Sequence, residues 1–233
     1  MSKQKMSAED KKMVNGLFWN SFLLEASYNY ERQQALGFSV GMWPAIKRFY
    51  KTKEGQAEAL KRHMAIFNTT PHMVSVISGV TAAMEKEASE NKDFDKDIIN
   101  NVKVGLMGPL AGIGDSFFWG TLRIIAAGIG LSLAQQGSVL GAILFLIIFN
   151  VPHLLIRYYG TVLGYQFGAG LMSNTKSAGI LKMISKGASI VGLMVIGAMS
   201  ASMVAMKTPL TFTIGETAFE LQGYLDQIFP LLL

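Results

Sequence analysis

Residues 138–156 read SVLGAILFLIIFNVPHLLI, within a run from 124 to 156 that holds no Asp, Glu, Lys or Arg. A helix needs roughly 20 mostly apolar residues to cross the hydrocarbon layer of a bilayer, and this stretch supplies them. The next charge-free run, 187–206 (GASIVGLMVIGAMSASMVAM), is of the same length class, and its Gly, Ala and Ser spacing suits close helix packing in lipid. Residues 117–135 are a third candidate, interrupted by Arg123, and 64–84 is a further charge-free run. Charge is crowded toward the N-terminus: residues 1–103 hold 15 Lys/Arg and 12 Asp/Glu, whereas 104–233 hold 6 and 4. Over the whole chain only 16% of residues are charged and 50% are hydrophobic, against about 25% charged in an average soluble protein. The pattern predicts an all-α integral membrane protein and excludes a disordered chain.

Other classes fall away on composition. The chain has no cysteine, so disulfides and thiolate chemistry are excluded. The net charge of +5 is not a nucleic-acid footprint, because basic residues alternate with acids and no run is dominated by Lys and Arg. Residues 1–12 are polar and lack the apolar core of a signal peptide, so they read as a cytosolic tail. Arg157, Lys176, Lys182 and Lys186 place 157–186 on the cytoplasmic side, as a loop, by the excess of Lys and Arg expected there. By the same rule 85–103 is inside, and the uncharged link 134–137 and the acidic segment 207–233 are outside.

One membrane domain is expected over 13–233. Residues 13–63 read as amphipathic or interfacial helices, the first over 13–36, with a weak capping signal from Ser7 and Asp10. Residues 64–84 (broken at Asn68–His72) and 104–123 (broken by Pro109 and by Gly105, Gly108, Gly112 and Gly114) read as interrupted, re-entrant membrane segments. Residues 138–156 and 187–206 read as transmembrane helices. Irregular backbone at membrane depth is tolerated where it is buried in protein or lines a cavity. Paired broken segments are also the best pointer in a sequence to a transporter's binding site.

NYERQQALGF (29–38), FNTTP (67–71), VGLMGPLAGIGDSFFWGTLR (104–123) and RYYG (157–160) closely resemble the IID component of the mannose/fructose/sorbose-family phosphotransferase system. The likeness runs from about residue 13 to the C-terminus, and the motifs occur in the family's order. The resemblance implies a subunit that pairs with a IIC component in the bacterial cytoplasmic membrane, as a trimer of IIC–IID heterodimers, to translocate a hexose of the mannose or glucose type. It further implies cytosolic IIA and IIB components that carry phosphoryl groups on histidines, and docking of bacteriocins on the IIC–IID pair. The IID subunit would be neither catalytic nor phosphorylated, and would need no cofactor. Two departures stand out. Many members carry Arg and Gln where this chain has Asn20 and Glu25. The chain also ends at QIFPLLL, where members usually continue into a further hydrophobic segment, so a C-terminal anchor is expected to be missing.

Sugar recognition needs planar polar groups for hydroxyls and an apolar face for the ring. Glu25, Asn29 and Arg32 are spaced to share one helical face, which serves either a partner or cavity, or simply water. The family motif favours the substrate reading for Asn29, Glu31 and Arg32. Asn68 and Thr69 either face a cavity or satisfy backbone groups freed by Pro71. Asp115 and Arg123 are the only charges between Lys103 and Arg157, and charges within membrane segments are functional candidates by default. Asp115 is expected to accept sugar hydroxyls with help from Ser116 while Trp119 packs on the ring. The alternative is that Asp115 pairs with Arg123 or caps a helix. His63, His72 and His153 show no metal-ligand spacing, and His153 is expected to hydrogen-bond within the bundle. Two alternatives stay open: a membrane scaffold that does not touch sugar, and a IID subunit for fructose, sorbose or an N-acetylhexosamine.

Overall fold

A computed structural model of the chain describes residues 6–172, together with 190, 194, 211–214 and 217–220. It is helical, as expected, with eight helices among the described residues: α1 (Ala8–Asn20), α2 (Ala35–Gly41), α3 (Trp43–Phe49), α4 (Lys53–Arg62), α5 (Val74–Glu90), α6 (Asp97–Gly114), α7 (Arg123–Gln135) and α8 (Leu140–Met172). A short antiparallel hairpin, Thr211–Ile214 with Thr217–Glu220, was not foreseen. The helix expected over 187–206 lies outside the described residues, apart from positions 190 and 194.

The capping signal at Ser7 is stronger than its sequence suggests. Ser7 Oγ accepts from the Asp10 N–H at 3.0 Å, and the Asp10 carboxylate accepts from the Ser7 N–H at 3.3 Å, a complete capping box that starts α1 at Ala8 rather than at 13. The helix expected over 13–36 ends at Asn20. A 3₁₀ turn, Ser21–Leu23, follows, and the chain folds back so tightly that a Cβ on Gly37 would overlap the Leu24 carbonyl. Asn29 and Gln33 then exchange backbone hydrogen bonds, with Gln33 at φ 54°, and Asn29 Oδ1 accepts from the Arg32 N–H at 2.8 Å. This side-chain-to-backbone bond competes with helix formation. Glu25, Asn29 and Arg32 therefore share no helical face.

The long helices follow from small residues and apolar surface. On α8, Gly160, Gly164 and Gly168 recur every fourth residue and form a groove for α5. Ser75 and Val76 meet Gly160, Val76 meets Gly164, and Val80 and Ala83 meet Gly168, so the two helices run parallel. Gly79 on α5 returns the contact, facing the Thr161 carbonyl and the Tyr165 amide. Arg157, expected in a loop, lies inside α8 and is buried. The reason is that its guanidinium donates to the Pro71 carbonyl and lies over the Phe22 ring at 4.3 Å, which anchors the charge in protein.

The expected interruption in 104–123 takes the form of a change of winding. The run Asp97–Gln135 stays helical through Pro109, and Asp115–Leu122 is wound as a π-helix. The hydroxyls of Ser116 and Thr121 bond the carbonyls of Gly112 (2.8 Å) and Ser116 (3.0 Å) across this stretch. Such π-wound stretches are frequent at functional sites. After α7 the chain turns at Gly137 (φ 75°), and Gly130 packs on Gly141 as α8 returns. Asp97–Gln135 and Leu140–Gly170 are both long and apolar enough to span a bilayer. Ile124, Ile125, Leu131, Leu140, Leu146 and Ile147 are exposed on this hairpin, a surface suited to lipid or a partner helix.

Two polar clusters tie the shorter helices to this frame. Asp10 accepts from the Tyr165 hydroxyl at 2.9 Å and pairs with Arg48 at 3.0 Å, joining α1, α3 and α8. Tyr165→Phe is expected to loosen α1 by about 1–2 kcal/mol, read as faster amide exchange over residues 8–14. The second cluster centres on Glu85 of α5, which is fully buried. Its carboxylate accepts from Tyr50 at 2.7 Å and from Arg62 at 3.0 and 3.2 Å, and lies 3.0 Å from His63 Nε2. All four groups lie outside the two spanning runs. Burial pushes the Glu85 carboxyl up, but His63 and Arg62 outweigh it and hold the group at about 2. Burial holds the His63 imidazole below its ordinary range, against the pull of Glu85, so it is neutral at neutral pH. Burial and the neighbouring carboxylate push the Tyr50 hydroxyl up. Phe38 stands edge-on to His63 at 5.6 Å, and Lys103 Nζ lies 5.5 Å from the Phe38 ring and 5.9 Å from that of Phe67.

Candidate functional site

The turn before α5 is pressed against the π-helical stretch. Thr69 Oγ1 donates to the Met107 carbonyl at 3.1 Å. Thr70 Oγ1 lies 2.7 Å from Asp115 Oδ1 and 2.9 Å from the Ala111 carbonyl. Gly114 allows this approach, since a Cβ there would stand 2.7 Å from the Thr70 side chain. Asp115 is thus half-buried, with a hydroxyl at hand and no ion pair to Arg123 among the described residues. Arg123 instead sits over the Trp119 ring at 5.1 Å.

An aromatic layer continues from the same turn. His72 stacks on Phe118 at 4.0 Å and meets His153, Trp119 and Phe149 edge-on at 4.5, 5.1 and 5.6 Å. His153 Nε2 is buried and has no hydrogen-bond partner among the described residues. Its ring packs against Phe22, His72, Phe118 and Phe149. Trp119 remains 40% exposed although Arg123, His72 and Phe149 all contact its ring.

The loop carrying Asn29, Glu31 and Arg32 joins this region through the backbone. Gln33 bridges to Phe67, the Gln34 N–H donates to the Phe67 carbonyl at 2.9 Å, and the Phe67 N–H donates to the Arg32 carbonyl at 3.4 Å. Asn29, Glu31, Arg32 and Asn68 are all exposed. The Glu31–Arg32 pair at 3.3 Å is solvated on both sides, 80% and 48% exposed, and is worth about 1 kcal/mol at most. Thr69 is buried with its groups satisfied, and Ser116 is tied to Gly112. The expected residues therefore divide into two sets. Thr69, Asp115 and Ser116 belong to the framework of the turn and the π-helix, whereas Asn29, Glu31, Arg32, Asn68 and Trp119 offer exposed polar or aromatic surface.

An open groove of about 560 Å³ is lined by Glu31, Arg32, Lys61, Met64, Ala65 and Ile66. It takes in two of the expected residues and neither Asp115 nor Trp119. Sequence reasoning missed Gln34, Thr70 and the His72–Phe118 stack. Gln34 and Thr70 stand inside motifs already singled out, but their partners are 35 and 45 residues away. The half-buried Asp115 carboxylate, the exposed Asn68 amide and the exposed Trp119 indole are group types that suit recognition of a polyhydroxylated ring. No group of three or more His, Cys, Asp or Glu gathers as a metal site among the described residues.

Residues 9–233 match the profile of the PTS system mannose/fructose/sorbose family IID component. Among similar proteins, the mannose-specific EIID component of Escherichia coli K12 is 42% identical over 224 residues, covering 93% of this chain and 79% of that relative. The sorbose-specific EIID component of Klebsiella pneumoniae is 43% identical, covering 97% and 85%. The fructose permease IID component of Bacillus subtilis is 40% identical, covering 94% and 82%. Among solved structures, a chain of the mannose transporter ManYZ in complex with microcin E492 superimposes with a TM-score of 0.83 at 40% identity, covering 98% of this chain and 86% of that one.

Proposed function

This chain belongs to the mannose/fructose/sorbose family of IID components of the phosphotransferase system, a family of bacterial membrane proteins, and from that premise we propose that it is the IID half of a hexose-translocating unit. It pairs with a IIC component in the cytoplasmic membrane, crosses that membrane more than once, and assembles as a trimer of such pairs. Its hexose is of the mannose or glucose type. It neither carries phosphoryl groups nor catalyses their transfer; phosphorylated IIA and IIB components supply that chemistry from the cytosol. Bacteriocins dock on the pair, a reading supported by the microcin in the ManYZ assembly.

The observation that carries the transport reading is the meeting of the FNTTP turn with Asp115 in the middle of a 39-residue apolar helical run. Ionisable and hydroxyl groups at such a place are expensive and are retained for function. A π-wound stretch beside them gives the helix a weak point at which one part of the fold can move against another, as alternating access requires. Asp115 accepts sugar hydroxyls, Thr70 and Ser116 hold its helix, Trp119 covers the ring, and Asn68 with Asn29, Glu31 and Arg32 line the approach. One observation favours the scaffold reading instead: Thr69 and Thr70 spend their hydroxyls on the protein itself.

Co-expression with a IIC partner, with phosphoryl donors present, separates the two. Sugar uptake is expected from the pair. Asp115→Asn is expected to lower kcat/KM at least tenfold, about 1.4 kcal/mol, at unchanged membrane content. Uptake by Asp115→Asn at the unmodified rate would remove the sugar-binding role and leave the scaffold.

A further inference from the structure

We infer that Gln34 is a positioning residue for the Asn68–Thr69 turn and that Glu25 orients it, an inference that rests on the reading of this turn as part of the sugar path. Gln34 is buried, and its carboxamide makes three hydrogen bonds. Nε2 donates to Glu25 Oε1 at 2.6 Å and to the Thr69 carbonyl at 3.0 Å, and Oε1 accepts from the Thr69 N–H at 2.8 Å. A carboxylate and a carbonyl only accept, and a backbone N–H only donates. The amide therefore has a single orientation that satisfies all three partners.

The geometry resembles a strand edge. Gln33 already bridges to Phe67, and the Gln34 backbone N–H already donates to the Phe67 carbonyl. The Gln34 side chain continues that ladder by taking both backbone groups of Thr69, which leaves no freedom to the peptide that presents Asn68. From Thr69 and Thr70 the same turn is pinned to Met107 and Asp115. Glu25 is exposed and lies nine residues before Gln34. A surface carboxylate thus controls, through one amide, where the buried turn stands relative to Asp115.

The test uses the full chain with its IIC partner, in vesicles for uptake and in nanodiscs for amide exchange. Glu25→Leu and Gln34→Leu are each expected to raise KM for the transported hexose about tenfold, with kcat within twofold, and the double variant is expected to be no worse than Gln34→Leu because both act through one chain of bonds. Gln34→Glu sets two carboxylates against each other and is expected to raise KM more than tenfold. Adding Glu25→Gln restores a donor–acceptor pair and is expected to recover at least threefold of that loss. Exchange at the Thr69 amide is expected to quicken at least tenfold in Gln34→Leu. Unchanged exchange at Thr69, or no recovery in the Glu25→Gln/Gln34→Glu pair, overturns the inference. A wild-type pair that moves no sugar overturns the transport reading instead, while the exchange measurement still decides the role of Gln34.

Discussion

Replacing Glu85 with alanine is expected to cost about 3–5 kcal/mol of stability, because breaking a buried ion pair strands its partners. Arg62 keeps its exposed neighbour Glu58 at 3.6 Å, but loses the two hydrogen bonds that fix its buried end. The Tyr50 hydroxyl loses its acceptor at 2.7 Å. The pH dependence gives an independent measure. Glu85 is held at about 2 in the folded chain against an ordinary value of 4.5, which corresponds to about 3 kcal/mol of stability at neutral pH. The folded value is depressed, so this contribution is complete above about pH 5 and is lost as the pH falls toward 2. His63 acts in the same direction, since an imidazole kept neutral by burial takes a proton more readily once unfolded. Thermal unfolding of the detergent-solubilised chain between pH 7 and pH 3 is expected to show a steep loss of stability on the acid side. That loss should be markedly shallower in Glu85→Gln. Equal slopes would mean that Glu85 is not the group that titrates.

Gly164→Leu is expected to prevent α5 from seating on α8. Even a Cβ at this position would overlap the Val76 carbonyl, and that obstacle is helix backbone rather than the end of a flexible side chain. Overpacking inside a core costs about 1–3 kcal/mol where side chains can yield; a backbone clash in the largest helix–helix contact costs more. In lipid no hydrophobic force compensates, because the helices are held by close packing. The expected readouts are loss of protease-resistant chain from the membrane fraction and loss of co-purification with a IIC partner. Gly128→Leu is the comparison, since a Cβ there meets nothing within 4 Å, and it should accumulate normally.

The membrane class and the helix from Leu140 were legible because charge-free length is a property of the sequence alone, whereas the continuous run Asp97–Gln135, which carries Asp97, Lys103, Asp115 and Arg123, was not. The irregularity in 104–123 was legible, but it lies at Asp115–Leu122 and not at Pro109, and its form was not foreseen. Whether glycines and a proline end a helix or change its winding depends on what satisfies the freed carbonyls, and here Ser116 and Thr121 do so from within the helix. The helix expected over 13–36 failed for a related reason. Its periodicity is helical, but the Asn29–Gln33 backbone pairing and the tight seat of Gly37 on Leu24 are tertiary events that no spacing announces. Arg157 was misplaced because a cation ends an apolar run on paper, whereas a carbonyl from Pro71 and the Phe22 ring accommodate it inside the helix. In the candidate site the motifs marked segments that the structure brings into contact, but Gln34 and Thr70 required knowledge of what lay opposite.

The Asp10–Tyr165 bond joins residues 155 positions apart. At about 5–20 residues per second of translation, Asp10 is added to the chain some 8–30 s before its tyrosine. The capping box, built entirely from Ser7 and Asp10, needs nothing downstream, so the helix start can form at once, and Arg48 is available to pair with the Asp10 carboxylate long before Tyr165 exists. The first helix can therefore dock on the third early, through Arg48, and its bond to Tyr165 is a later lock that closes only once that part of the eighth helix has been made.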